Sequence, residues 1–126
     1  MNKAYVCVLM AGLLPYVCAI VAKWGFHRFD NNNPRQWLAA QTGFRARANA
    51  AQANSFEAFP FFAAAVILAM LAQVDAARID LYAMVFVAAR LGFIVCYLTD
   101  KASLRSWCWL AGWLSVVGLF AAGLGF

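Results

Sequence analysis

Polar positions are rare along this chain and come in clusters, so that four long apolar stretches stand out between them. Ala4–Ala22 has no charge, Asn54–Ala72 carries only Glu57, Leu81–Thr99 carries only Arg90, and Trp107–Phe126 has none. A helix that crosses a bilayer needs about 20 mostly apolar residues, and each stretch comes close to that length. The pattern predicts an all-α fold, an integral membrane four-helix bundle in one domain covering residues 1–126. The first stretch exceeds the roughly 7–15-residue apolar core of a signal peptide, and three more spans follow it. Pro15, in its middle, is expected to kink or loosen the first helix, which membrane bundles tolerate.

The one sizeable polar region, Lys23–Ala53, separates the first two spans. Its run Asp30-Asn31-Asn32-Asn33-Pro34 is turn chemistry, because Asx side chains bond to nearby backbone and proline fixes the following φ. Asn33 is placed to cap a short helix with Pro34 at its first position. That helix is expected over Pro34–Gly43, either continuing into the second span or meeting it at Gly43. The second span then carries Arg45 and Arg47 on an extension beyond the hydrocarbon.

Composition sharpens the class. The chain is 66% hydrophobic and 12% charged, with a mean hydropathy of +0.73. A soluble domain of this size has too much surface to hide that apolar content. The net charge of +5 is unevenly spread. Lys23, Arg28, Arg35, Arg45 and Arg47 lie between spans one and two, Lys101 and Arg105 between three and four, and only Lys3 and Arg78 fall on the other side. The positive-inside bias places both odd-numbered connections in the cytoplasm and both termini outside. The chain has no separate basic domain, so the charge is a poor sign of nucleic-acid binding. Cys7, Cys18, Cys96 and Cys108 fall within or beside the spans and are spaced neither as a disulfide framework nor as CxxC metal pairs. His27 is the only histidine, and no metal site is expected. Trp107 and Trp109 are expected to anchor the fourth span at the interface. Gly112, Gly118, Gly123 and Gly125 are expected to allow close helix contact. Asp75, Arg78 and Asp80 read as a connecting turn.

Two charges inside the spans carry the chemistry. A lone ionised group at mid-membrane costs about 2.5–3.5 kcal/mol on insertion scales, so such groups are normally paired and functional. Glu57 and Arg90 are expected to be each other's partner. Arg47, Asn54 and Glu57 share one helical face, and so do Arg90, Phe93 and Tyr97. Arg90 lies about 10 Å deeper than Tyr97 at 1.5 Å per residue, and Arg105 waits at the mouth. The two stripes are expected to meet in one pocket open to the cytoplasm. Guanidiniums that grip carboxylates, with one acid for an ammonium group, suit a zwitterionic peptide with surplus negative charge. The bland alternative is that Glu57, Arg90 and Asn54 merely hold helices together. A small four-helix multidrug exporter fits less well, since Ala4–Ala22 lacks an acid.

The series Arg47-x6-Asn54-x2-Glu57-x2-Pro60, followed by Arg90-x6-Tyr97-x7-Arg105, resembles the MAPEG family of membrane-associated proteins in eicosanoid and glutathione metabolism. The phrase running from Arg47 to Phe62 is similar to its bacterial branch. The resemblance implies a homotrimer of four-helix bundles in the cell's inner membrane, with glutathione as co-substrate bound between neighbouring subunits near the cytoplasmic face. By match, it implies that Asn54 and Glu57 hold the glutathione backbone, Glu57 facing the ammonium group, with Arg47 and Gln52 nearby. Arg90 and Tyr97 are implied contacts from the third span, and Arg105 the residue that stabilises the thiolate. The implied activity is a glutathione-dependent transferase or peroxidase acting on lipophilic electrophiles from the bilayer. Phe93 stands where the family often has tyrosine, and Ala50 where eukaryotic glutathione-using members have arginine. Those departures support an alternative, a non-catalytic protein of the same fold that binds another anionic lipid or peptide.

Overall fold

The computed structural model describes residues 3–26 and 28–126; His27, the histidine singled out above, lies outside the described residues. The elements are α1 (Lys3–Ala22), a single 3-10 turn (Trp24–Phe26), α2 (Pro34–Ala39), α3 (Gly43–Leu71), α4 (Ala76–Leu98) and α5 (Ala102–Gly123). By length and composition α1, α3, α4 and α5 can each cross a membrane, so the chain is a multi-pass membrane protein. Both Pro15 and Pro60 sit inside helices without ending them.

The helices begin earlier than the apolar runs because their first turns are polar. Asp75 caps α4, its side chain accepting from the Arg78 amide, so that helix starts at Ala76 instead of Leu81. The start of α5 at Ala102 puts Arg105 inside its first turns and not in the preceding loop. Pro34 opens α2 as expected, but that helix stops at Ala39 and α3 opens separately at Gly43, whose φ is 63°. At 29 residues, α3 is about 43 Å long at 1.5 Å per residue, well beyond the roughly 30 Å of bilayer hydrocarbon.

The extra length of α3 is used to finish its neighbours. Helix C-termini leave carbonyls without partners and carry partial negative charge. Arg45 donates to the Ala22 carbonyl at 3.1 Å and the Trp24 carbonyl at 2.7 Å, closing the end of α1. Arg47 donates through Nε to the Leu98 carbonyl at 3.2 Å, closing the end of α4. At the opposite end, Asp80 Oδ1 accepts from the Ala4 amide at 2.8 Å and so caps α1 from a neighbouring helix. Arg78 reaches the Phe126 carbonyl at 2.7 Å. The stretch read as a connecting turn is therefore a tie between three helices, and its Asp80 is buried.

The bundle is antiparallel. α1 packs mainly on α3 and α5 mainly on α4, while α1 and α5 scarcely touch. Its main core runs through Ala4, Cys7 and Ala11 of α1, Phe62 to Ala69 of α3, Ile79 to Val87 of α4, and Val116 and Leu119 of α5. Phe62 and Phe86 stack at 3.9 Å between ring centroids. Gly118 lets α5 approach Tyr82, whose ring would lie 2.5 Å from a Cβ at that position. Gly125, grouped above with the packing glycines, instead has φ 95° and open space around it, a turn position.

Candidate functional site

Three helical stripes converge on one groove. On α3, Asn54, Glu57, Ala58 and Phe61 follow the i, i+3, i+4, i+7 spacing of a single face. On α4 the stripe is Phe86, Arg90, Phe93 and Tyr97; on α5 it is Arg105, Trp109, Gly112, Trp113 and Val116. Between them lie two adjoining cavities. The deeper, of about 280 Å³, is lined by Asn54, Glu57 and Phe61 of α3, Phe86 and Arg90 of α4, and Trp109 and Trp113 of α5 among others. The second, of about 240 Å³, lies toward the α3 N-terminal end and is lined by Asn54, Phe93, Tyr97, Arg105, Ser106 and Trp109. Asn54 and Trp109 belong to both, so they stand at the junction.

The expected Glu57–Arg90 ion pair is not formed. Both residues line the deeper cavity, but the Arg90 guanidinium donates to Ser55 Oγ at 3.2 Å and lies 4.2 Å over the Phe93 ring. Arg90 is only 3% exposed, and its stem packs against Gly112, where a Cβ would come within 3.9 Å of Cδ. Glu57 is exposed on the protomer surface. The reason is helical register. Ser55 points to the bundle interior and Glu57, two residues on, points to the groove, so the buried cation meets the hydroxyl first.

A ladder of cations and rings joins the cavities. Arg90 covers Phe93, Phe93 meets Tyr97 edge-on at 5.5 Å, and the Arg105 guanidinium lies 4.3 Å over Tyr97. Phe93, the departure from tyrosine, thus serves as the aromatic face under Arg90; cation–π contacts of this kind contribute about 0.5–2 kcal/mol. Gln52 Oε1 and Asn54 Oδ1 are buried and have no hydrogen-bond partner. Such atoms are uncommon in native proteins and point to a missing partner.

Of the residues singled out from sequence, Asn54, Glu57, Arg90, Tyr97 and Arg105 are brought to the two cavities. Arg47 and Gln52 line neither within the protomer, and the Arg47 Nε–H is directed to the α4 terminus. Sequence reading missed Trp109, which walls both spaces, and Trp113, which walls the deeper one; the two rings stack at 6.3 Å with planes 13° apart. The signal was present: Trp109, Gly112, Trp113 and Val116 share a face, with Arg105 one turn earlier. Ser55 was also missed, because a serine between Asn54 and Glu57 carries no pattern of its own.

The arrangement can bind a molecule that is anionic at one end, near Arg90 or Arg105, and apolar along Phe61, Trp109 and Trp113. Comparison with curated proteins finds no match for this chain. A model of the MAPEG family, however, matches residues 4–125 of the 126, and the chain therefore belongs to the MAPEG family, membrane proteins of glutathione and eicosanoid metabolism.

Proposed function

We propose that this protein is a glutathione-dependent transferase or peroxidase of the inner membrane, acting as a homotrimer on lipophilic electrophiles that enter from the bilayer. The observation that carries the reading is Asn54: its unpartnered Oδ1 lies where a cavity with a carboxylate and a guanidinium adjoins a cavity with a phenol and a second guanidinium. A tripeptide with one ammonium group, two carboxylates and a thiol matches those groups in kind. Glu57 takes the ammonium, Arg90 a carboxylate, Asn54 a backbone amide, and Tyr97 with Arg105 the thiol. Arg47 and Gln52 contribute from a neighbouring subunit's face, and both chain termini lie on the non-cytoplasmic side.

A guanidinium beside a thiol favours its thiolate, the nucleophilic form. The thiolate then forms a carbon–sulfur bond with an electrophile, either displacing a leaving group such as halide with its bonding electrons or adding to an activated double bond whose π electron pair takes up a proton from water. Alternatively it attacks the terminal oxygen of a hydroperoxide, releasing the alcohol; a second glutathione condenses with the resulting sulfenic acid to give the disulfide and water. The exposed rings of Trp109 and Trp113 offer the apolar partner a wall next to the thiol.

Detergent-solubilised protein should be stabilised by millimolar glutathione, since a ligand of the native state raises the unfolding midpoint by mass action. The complex should show a thiolate absorbance that Arg105→Ala removes. Absence of both a midpoint shift and a thiolate signal overturns the reading.

A further inference from the structure

The first loop is built as a platform that the cavities do not use. Just beyond α1, Trp24 and Phe26 are 66% and 65% exposed, although each is large and apolar. Around them runs a connected series of rings and cations. Phe26 meets Phe29 at 6.0 Å, Phe29 meets Trp37 edge-on at 5.1 Å, and Lys23 Nζ stands 4.9 Å over Phe29. Arg45 lies 5.9 Å over Trp37 and 5.1 Å over Phe44. The platform is held in place: Leu38 of α2 is buried with Ala22 and Ala48 in a small core of its own.

Charge and position say what covers it. From residue 23 to residue 47 there are five cations, Lys23, Arg28, Arg35, Arg45 and Arg47, against one acid, Asp30. Arg45 and Arg47 are committed to helix-end carbonyls. Among the described residues no hydrogen bond ties down the side chain of Lys23, Arg28 or Arg35. Lys23 stands over the half-buried Phe29 ring, and Arg28 and Arg35 are exposed in the same loop, which follows directly on α1. The Asx turn at residues 30–33 is exposed and polar and completes an amphipathic segment. Aromatic bodies belong at the head-group level of a membrane, and clustered Lys and Arg there attract anionic lipids.

We propose that the loop from Lys23 to Phe44 is a docking surface for anionic phospholipids, with Trp24 and Phe26 entering the acyl boundary and Lys23, Arg28 and Arg35 holding the phosphodiester head groups. The surface lies apart from the cavities, and the proposal does not depend on the function argued above. Each cation near a charged membrane surface contributes about fivefold in affinity.

The test uses the full chain reconstituted in phosphatidylcholine vesicles containing a minority of phosphatidylglycerol. The lipid that remains with the protein after mild detergent extraction is quantified. Wild type should retain phosphatidylglycerol preferentially, and the triple variant K23Q/R28Q/R35Q should lose at least tenfold of that preference. The control K3Q/R78Q, at the other end of the bundle, should keep it. Should the triple variant fail to fold, raising the salt concentration on wild type serves instead, because screening must reduce the preference. A wild-type protein without the preference, a triple variant that keeps it, or a salt-independent preference overturns the proposal. A change in oligomeric mass on substitution also overturns it, since the face would then be a contact between copies of this chain.

Discussion

Among the described residues, Arg90 and Ser55 make the one side chain to side chain hydrogen bond in the bundle interior, at 3.2 Å, and it links α4 to α3. Both residues are 3% exposed. A guanidinium this deep has its charge met by a hydroxyl and an aromatic face, with no carboxylate in contact. Removing the hydroxyl leaves a buried cation short of a partner, and bonds to charged groups contribute about 1.5–3 kcal/mol. Ser55→Ala should therefore lower unfolding stability by roughly that amount, measured as a drop in thermal midpoint in detergent, whereas Ser55→Thr should recover most of it. If Ser55→Ala melts like wild type, Arg90 has another partner.

Arg45 offers a separable test of architecture. It closes the C-terminal end of α1 through two carbonyls and lines neither cavity. Arg45→Met keeps much of the apolar stem and deletes both hydrogen bonds, at a cost of about 1–3 kcal/mol. Amide exchange near Ala22 should accelerate, while any ligand affinity measured by titration stays within error of wild type. A large loss of affinity in a folded Arg45→Met protein would contradict the assignment of this residue to the frame.

Much of the frame was legible in the sequence, and the reasons are physical. Long apolar runs with few charges leave little choice but spanning helices, and the i, i+3, i+7 spacing of Asn54, Glu57, Arg90 and Tyr97 fixes which faces are polar. What the sequence hides is which polar group satisfies which. Glu57 and Arg90 are opposite charges in successive spans, but the register of Ser55 intercepts the guanidinium. Asp80 looks like part of a turn, yet its carboxylate caps a helix 76 residues away in sequence. Such pairings depend on the interhelical geometry, which residue spacing within one helix does not determine.

The Asp80 cap leads to a prediction of its own. A side chain that accepts from a helix N-terminal amide contributes about 0.5–2 kcal/mol, and here the acceptor is 7% exposed. Asp80→Ala should destabilise by roughly that amount and loosen the first turn of α1, seen as faster exchange of the Ala4 amide. Asp80→Asn retains an acceptor oxygen and should fall between the two. Equal exchange rates in all three proteins would remove the cap from the account.

Close packing of α4 on α5 can be tested at Gly118. A methyl group there would lie 2.5 Å from the Tyr82 ring, so the ring or the helix must move, and overpacking of this kind costs about 1–3 kcal/mol. Gly118→Ala should lower the midpoint, and the double variant Gly118→Ala/Tyr82→Leu should regain part of the loss. No rescue would mean that the two helices move apart instead of the ring turning aside.

Asn54 separates stability from binding most sharply. Its Oδ1 is buried without a partner in the protein alone, and an unsatisfied buried polar atom costs about 1–3 kcal/mol. An apolar side chain of similar volume removes that cost, so Asn54→Leu should melt at or above the temperature of the unliganded wild type. If the amide exists to meet a ligand, the same substitution should abolish the stabilisation by glutathione expected of wild type, because the ligand would then lose its partner at the junction of the cavities. The two effects have opposite signs and are read from one pair of melting curves, with and without glutathione. A structural role for Asn54 in holding helices together predicts the reverse order: a lower midpoint for Asn54→Leu and an undiminished response to glutathione. That result would move the residue from the site to the scaffold.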